Sequence, residues 1–397
     1  MKNKTNYLYF LIGIIYFVQG IKSLPSQPLF YYFKETLNMS ASKIMYITSI
    51  VSLAWFIKPL WGFLSDNKPL FGYRRKSYII LSAVLGIICC LFIGLIPSLP
   101  IFLLIGFLIL ESLSGAVRDV AIDGISVEEG KVRNLTGAFQ SVSWGSLTVA
   151  TMFTGLVGGY IAEKWDYHIA FLLVILFLLG IIITTLYYQE PKRESSSLSL
   201  FFSLKALVSI FKNKQFLLSS IFLFCLWFSP AVGTPIMFKL RDELHLSKIY
   251  IGFLATVGSF FGIIGALIYW KISKKINLKK WLKIGIVISS ISTWAYLFLN
   301  NISVVIYTII FGISGMFIQL LIMDYMARIC PSGSESTIFA LLCSILNFSG
   351  FLSVLLGAKL YSIVGYNWLI IISGLFTFIC LLFVKFLKIN NDVKYSY

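Results

Sequence analysis

Charged side chains interrupt the apolar runs of this sequence at a few positions, and their types limit the chemistry open to them. Lys22 follows Gln19 closely and precedes Ser23-Leu-Pro-Ser-Gln-Pro28, where two prolines break a helical pattern. Glu111, Arg118, Asp119 and Asp123 come together further on. At 3.6 residues per turn, Glu111, Gly115, Arg118 and Ile122 share one helix face, and Asp119 and Asp123 share another. Lysine and arginine attract anions, and adjacent carboxylates oppose one another's ionisation, which suits reversible proton binding. No catalytic residues are expected. His168 and His245 fall in connecting segments, and no nucleophile–base pair stands out. Cys89, Cys90, Cys225, Cys330, Cys343 and Cys380 show no CxxC spacing. They read as small buried hydrophobes, with no metal site. No G-x-x-x-x-G-K loop occurs, so ATP is not the direct energy source and no cofactor is expected.

The elements that must hold these residues are membrane helices. Of 397 residues, 58% are hydrophobic and only 12% charged, about half the ~25% usual in globular proteins. The uncharged run Tyr78 to Phe107 exceeds the ~20 residues that cross a bilayer. Soluble enzymes, disordered chains and DNA-binding modules are excluded. Continuous apolar runs, without alternation, also argue against a membrane barrel. The expected fold class is an all-α membrane protein of twelve transmembrane helices. The spans are roughly Tyr7–Phe33, Lys43–Ser65, Ser77–Ile96, Ile101–Asp123, Leu135–Ala162, Ile169–Gln189, Gln215–Phe238, Ile249–Trp270, Trp281–Leu299, Ile302–Met326, Glu335–Leu360 and Trp368–Leu387. The first resembles a signal peptide but is too long and lacks a cleavage site, so it reads as a retained helix.

The net charge of +17 reads as a positive-inside signature, with no nucleic-acid partner implied. With the N-terminus in the cytoplasm, outer loops hold only Lys34, Lys43, Lys164, Lys239, Arg241 and Lys248, while most other basic residues fall inside. Both termini are then cytoplasmic. The polar stretch Glu190 to Lys214 turns apolar and basic from Leu200 to Lys212, a candidate interfacial helix. It divides the chain into an N-terminal six-helix half (1–190), a linker (191–214) and a C-terminal six-helix half (215–397). At one common offset Asp123 falls on Asp324, Thr136 on Thr337 and Tyr160 on Tyr361, in keeping with the two-half plan of secondary transporters.

Gly62-Phe-Leu-Ser-Asp66 followed by Gly72-Tyr-Arg74-Arg75-Lys76 resembles the G-x-x-x-D…G-R-R-K signature of the major facilitator superfamily. Gly62 would admit a neighbouring helix, Asp66 would cap a helix or pair with an arginine, and the basic residues would hold the inward face closed. An ordinary basic loop accounts for the arginines but not for Gly62 and Asp66. A narrower resemblance rests on four blocks: Tyr16-Phe-Val-Gln-Gly20; Trp55-Phe-Ile-Lys-Pro-Leu-Trp-Gly-Phe-Leu-Ser-Asp66 with its basic loop; Asp119-Val-Ala-Ile-Asp123 with Val127-Glu128; and Gly137-Ala-Phe-Gln-Ser-Val-Ser-Trp-Gly145. Together they are similar to the folate–biopterin transporter family over most of the N-terminal half.

The resemblance implies a monomeric secondary active transporter in a cell (inner) membrane, moving folate or a related pterin by alternating access with proton symport. Its partners are then the small-molecule substrate, protons and the lipid bilayer. Another amphipathic solute (S-adenosylmethionine, a nucleoside or a muropeptide) is the alternative cargo. Candidate substrate residues are Gln19, Lys22, Arg118, Gln140, Trp144 and Gln319. The amides offer donors and acceptors for a pterin edge, and Trp144, one turn from Gln140, offers a stacking face. Asn347 and Lys359 are weaker candidates. Glu111, Asp119 and Asp123 are candidates for proton coupling; Glu111, nearest mid-membrane, is the better proton carrier, while the position of Asp119 and Asp123 near the cytoplasmic end favours a gate. Ion pairs of Lys22 with Glu111, and of Lys58 with the aspartates, would instead make these charges structural. Gate candidates are Lys58, Gly62, Asp66, Gly72, Arg74 and Arg75.

The orientation is checked by labelling single cysteines introduced into a background without the six native ones. Positions 196 and 275 should react only from the cytoplasmic side, and position 301 only from outside. External labelling at position 196 would reverse the orientation.

Overall fold

Hydrocarbon cannot hydrogen-bond a peptide group, so a long apolar segment satisfies its amides within its own helix. The computed structural model is helical accordingly, and it describes residues 2–133, 135–192, 213–272, 277–329 and 335–387. The interfacial stretch at Leu200–Lys212, labelling positions 196 and 275, and Cys330 lie outside these residues. Ten of the described helices are long and apolar enough to cross a membrane, which makes the chain an integral, multi-pass membrane protein.

In chain order the helices are α1 (Lys2–Ile21), α2 (Ser26–Tyr31), α3 (Ala41–Phe56), α4 (Lys58–Asn67), α5 (Lys76–Leu95), α6 (Ile101–Arg133), α7 (Thr136–Lys164) and α8 (Tyr167–Leu186). They continue with α9 (Lys214–Trp227), α10 (Gly233–Asp242), α11 (Lys248–Ile272), α12 (Leu278–Ala295), α13 (Ser303–Ile329), α14 (Glu335–Ile379) and α15 (Leu381–Val384).

Proline and glycine account for most departures from the expected spans. The segment Tyr7–Phe33 divides into α1 and α2 around Pro25, but the break is a tight turn. The Ser23 and Leu24 amides donate to the Gly20 and Ile21 carbonyls at 3.0 and 2.9 Å, so these groups are used internally and not offered to a ligand. Pro59, in the first turn of α4, separates it from α3 at Ile57 (φ −83°, ψ 12°). The expected single span Gln215–Phe238 is two helices, α9 and α10, because Pro230 cannot donate to the ladder. Hydroxyls fill the gap. Ser229 Oγ donates to the Ser373 carbonyl and Ser373 Oγ to the Pro230 carbonyl, both at 2.9 Å, and Thr377 Oγ1 donates to Ser229 Oγ at 3.0 Å. Gly365, at φ 73°, turns the chain within α14 where a side chain would be strained. In the other direction, α6 runs well past Asp123 to Arg133. No proline stops it, and Glu129 pairs with Arg133 one turn on at 2.7 Å.

The chain forms two compact units. The first contains α1, α2, α3 from Ile50 onward, α4 to α8, and Ser247–Thr256 at the start of α11. In it α1 packs on α7, and α5 packs between α6 and α8. Gly20 sets the first contact: a Cβ there would lie 2.6 Å from Ala150 Cβ and 2.7 Å from the Leu147 carbonyl oxygen. Small residues at such crossings let membrane helices approach closely. The second unit contains Ser40–Ser49, α9, α10, α11 from Val257, and α12 to α15. Its core gathers Phe222, Leu282, Ile286, Tyr325 and Leu342, and Tyr325 donates to Ser219 Oγ at 2.8 Å.

Gly20→Ala should therefore lower the melting temperature in detergent, since overpacking of this kind costs about 1–3 kcal/mol. Gly106→Ala, where a Cβ meets nothing within 4 Å, is the control. Equal melting of the two variants would mean that α1 and α7 do not touch at Gly20.

Candidate substrate and gating site

The charges singled out in the sequence collect in the first unit, on α1, α4 and α6. Lys22 stands just past the end of α1. Its Nζ lies 2.6 Å from Glu111 Oε1 and donates to the Glu111 carbonyl at 3.1 Å. This ammonium rests on α6 at Gly115, in the space a Cβ would occupy. Lys58 emerges at the start of α4, pairs with Asp119, and has its Nζ 4.6 Å above the Trp55 ring. Asp123, one turn beyond Asp119, accepts a hydrogen bond from the Tyr16 hydroxyl. The pairings that the sequence held open for Lys22 and Lys58 are thus the ones present. Removing one partner of such a buried pair strands the other, which typically costs 3–5 kcal/mol.

Arg118 and Gln19 are different. Arg118 is fully buried, and its three guanidinium nitrogens have no hydrogen-bond partner among the described residues. Gln19 Oε1, on α1, is also buried without a hydrogen-bond partner among the described residues. On α7, Gln140 and Trp144 sit one turn apart, and Trp144 is 37% exposed. Gln319 lies on α13 of the second unit, as do Asn347 and Lys359 on α14. The second unit also holds Asp324, the repeat counterpart of Asp123. It accepts from the Tyr269 hydroxyl at 2.8 Å and from Arg328, one turn away, at 2.8 and 3.0 Å.

A second cluster surrounds the basic turn between α4 and α5. Phe71 and Gly72 have positive φ (53° and 83°), and the reversal they make brings Arg74 and Arg75 back over α6. Arg75 is almost fully buried. It donates to Ser65 Oγ at 2.7 Å and to Glu128 Oε1 at 2.9 Å, and it pairs with Asp66. Arg74 donates to both Glu128 oxygens at 3.1 and 3.2 Å. Gly124 makes the room: a Cβ there would overlap the Arg75 guanidinium. Burial works against the Arg75 charge, but Asp66 and Glu128 outweigh it and its pKa is raised. Gly62 plays no comparable part, since its Cβ would meet only Val120 Cγ1, at an ordinary 3.6 Å. The expected close approach there is absent.

Helix ends lock this cluster further. Glu190, just beyond α8, accepts the backbone N–H groups of Arg74, Arg75 and Lys76 at 2.7–3.1 Å. It caps the N-terminus of α5, where amides lack partners and a negative charge is favoured. Lys76 Nζ returns the contact, donating to the Leu186 and Tyr188 carbonyls at 2.6 and 3.0 Å at the C-terminal end of α8. Burial, then Glu129, Glu190 and Glu128, push the Tyr188 hydroxyl pKa upward. Glu128 and Glu190 were not among the sequence candidates. Glu128 was visible in the Val127-Glu128 pattern, whereas nothing local marked Glu190, because its partners are distant in sequence.

Two variants separate these contacts. Asp66 has a half-exposed side chain, and solvent screening limits such a pair to roughly 0–1 kcal/mol. Asp66→Asn should melt close to wild type, while Glu190→Gln, which weakens the acceptor for three amides, should melt several degrees lower. The reverse order would show that the cap does not hold α5.

The BT1 family model matches residues 19–394. The chain is 28% identical to a protein named folate-biopterin transporter from Synechocystis sp., over 95% of this chain and 81% of that protein. It is 25% identical to folate transporter 1 of Plasmodium falciparum, over 88% and 71% of the respective lengths. Among solved structures, a variant of the nucleoside transporter NupG superposes with a TM-score of 0.76 at 13% identity, covering 96% of this chain and 100% of that one. A D-xylose–proton symporter superposes with a TM-score of 0.75 at 14% identity, covering 98% and 99%. At such identities the structural likeness establishes the fold, that of major facilitator transporters. The family match runs through both units and every charged position described above, and the chain belongs to the BT1 family.

Proposed function

We propose that this chain is a secondary active transporter that carries folate or a related pterin by alternating access, coupled to protons. The observation that carries the reading is the set of buried charges on α1, α4 and α6, in a chain whose family relatives are named folate-biopterin transporters. Ionisable groups inside membrane helices are expensive and mark ion or substrate paths. Gln140 and Trp144 supply an amide and an aromatic face for a pterin ring. Gln319, on α13, carries an amide of the same chemistry.

The twelve-span count belongs to this reading. It requires α9 and α10 to make one crossing around Pro230. The 44-residue apolar run Leu341–Val384 would make two, divided at Gly365, because at 1.5 Å per residue it is about twice the ~30 Å hydrocarbon thickness. Halves 1–190 and 215–397 then alternate as bodies, as a monomer in the cell membrane with both termini cytoplasmic. Asp66, Arg74 and Arg75, with Glu128 and Glu190, brace the cytoplasmic gate.

Folate carries two carboxylates, and bringing each negative charge into a negative interior costs ~2.3 kcal/mol per 100 mV. Proton symport offsets this. Asp123, rather than the Glu111 expected from the sequence, is the better carrier in this reading. Protonating Glu111 dismantles its ion pair with Lys22, and protonating Asp119 does the same to Lys58. Among the described residues, only the Tyr16 hydroxyl hydrogen-bonds to Asp123. The charged groups around it are Asp119 on its own helix, Lys58 of α4 and Arg75 ahead of α5. A proton gained there breaks no ion pair.

Labelled folate should accumulate in proteoliposomes under an inward proton gradient, and should be displaced by unlabelled folate more effectively than by S-adenosylmethionine, nucleosides or muropeptides. Displacement led by one of those solutes would replace folate as the cargo. Asp123→Asn should abolish gradient-driven accumulation yet retain exchange of internal for external substrate. Accumulation surviving in that variant would move the proton path to Glu111 or Asp119.

A further inference from the structure

Arg118 heads the fully buried side chains of the described residues by volume, and none of its guanidinium nitrogens meets a hydrogen-bond partner. Its two cationic neighbours in the site are committed: Lys22 to Glu111, and Lys58 to Asp119. Along one face of α6, Glu111 is followed by Gly115 and Arg118 at helical spacing, and the Lys22 ammonium lies over Gly115. The face therefore reads acid, ammonium, guanidinium, with one more positive charge than negative. Glu111 and Asp119 both attract the guanidinium, but Glu111 is bonded to Lys22 and Asp119 to Lys58, and Asp123, five residues beyond Arg118, points to another side of the helix and engages Tyr16. A buried charge whose donors make no hydrogen bond is among the costliest features a fold can hold. A guanidinium also presents a planar fork of donors that matches a carboxylate through two parallel bonds.

We infer that Arg118 receives a substrate carboxylate beside the closed Lys22–Glu111 pair, so that the site selects a carboxylate-bearing pterin conjugate over an uncharged pterin. The inference rests on the transport reading above and corrects it in one respect. Lys22, expected from the sequence as the substrate's cation, serves to hold Glu111 and to set the charge of the face. The carboxylate meets the Arg118 guanidinium on the α6 face shared with Glu111 and Gly115, where the Lys22 ammonium already fills the room that Gly115 leaves.

The test is equilibrium binding to the purified full chain with three probes: folate, p-aminobenzoylglutamate (carboxylates without the pterin) and biopterin (pterin without carboxylate). Arg118→Gln should weaken both carboxylate probes roughly ten- to hundredfold and change biopterin by less than about twofold. Arg118→Lys, which keeps the charge without the fork, should fall between. Equal loss for folate and biopterin, or no loss for either carboxylate probe, overturns the inference. If Arg118→Gln does not yield a monodisperse protein, Glu111→Gln decides. It leaves Lys22 and Arg118 positive without the acid, so carboxylate probes should bind more tightly. Unchanged or weaker binding overturns the inference. Wild-type protein that binds p-aminobenzoylglutamate through Arg118, but neither folate nor biopterin, sinks the folate reading and keeps Arg118. Folate binding indifferent to Arg118 does the opposite, and a wild type that binds none of the three sinks both.

Discussion

A charge inside a bilayer must be met by the protein, because the surrounding hydrocarbon offers it nothing. The first unit is arranged around this constraint. Lys22 and Lys58 enter it from α1 and α4, and α6 supplies the acids that receive them, Glu111 and Asp119. The breaks that deliver the lysines follow from proline chemistry. α1 ends just before Lys22, three residues ahead of Pro25, and Pro59 follows Lys58 at the start of α4, so each ammonium stands at a helix end where its stem can bend toward α6. The same constraint explains the hydroxyls around Pro230 in the second unit, which satisfy a carbonyl and one another where the ladder is interrupted.

Helix α6 joins the buried charges to the basic turn. Two glycines on it admit cations against its backbone, Gly115 for Lys22 and Gly124 for Arg75. They are nine residues apart, which at about 100° per residue places them on opposite sides of the helix. The helix is thus held from two directions by two cations of different origin. Its extension to Arg133 carries Glu128 out to the arginines. A displacement of α6 along its axis would disturb the Lys22–Glu111 pair and the Arg75 cluster together, which gives one rigid element a part in both the site and the proposed gate.

Most of this arrangement is legible in the sequence where the signal is local. Apolar runs gave the helices, and the Asp66 to Arg75 spacing marked the turn whose side chains do meet. Helix spacing placed Glu111 and Arg118 on one face. What escaped is of two kinds. Helix ends were misjudged where propensity and proline act within a few residues, as at α6, which outruns Asp123, and at α9 and α10, which divide the segment expected whole. Partners distant in sequence were also missed. Glu190 caps α5 from beyond α8, with more than a hundred residues between, and no local pattern announces such a contact. Gly62 erred in the other direction, since a glycine within a motif suggested a tight crossing that the packing at Val120 does not require.

The two charge clusters differ in how much water reaches them, and that difference assigns them different work. The side chains of Lys22 and Glu111 are 9% and 16% exposed, against 51% for Asp66. A screened pair such as Asp66–Arg75 contributes at most about 1 kcal/mol, so it exchanges partners at thermal cost. Arg75 keeps Ser65 and Glu128 when it does so. The dry pairs do not open so freely, since each opening leaves an uncompensated charge in a medium of low dielectric. They are also a poor source of stability, because apolar replacements of similar volume often serve as well. A chain that needed only a stable first unit would have little use for three cations and three carboxylates within it. In the proposed transport cycle, their placement beside a guanidinium that lacks hydrogen-bond partners among the described residues gives them a use, as fixed charges that define where an anion and a proton enter without the pairs themselves having to break.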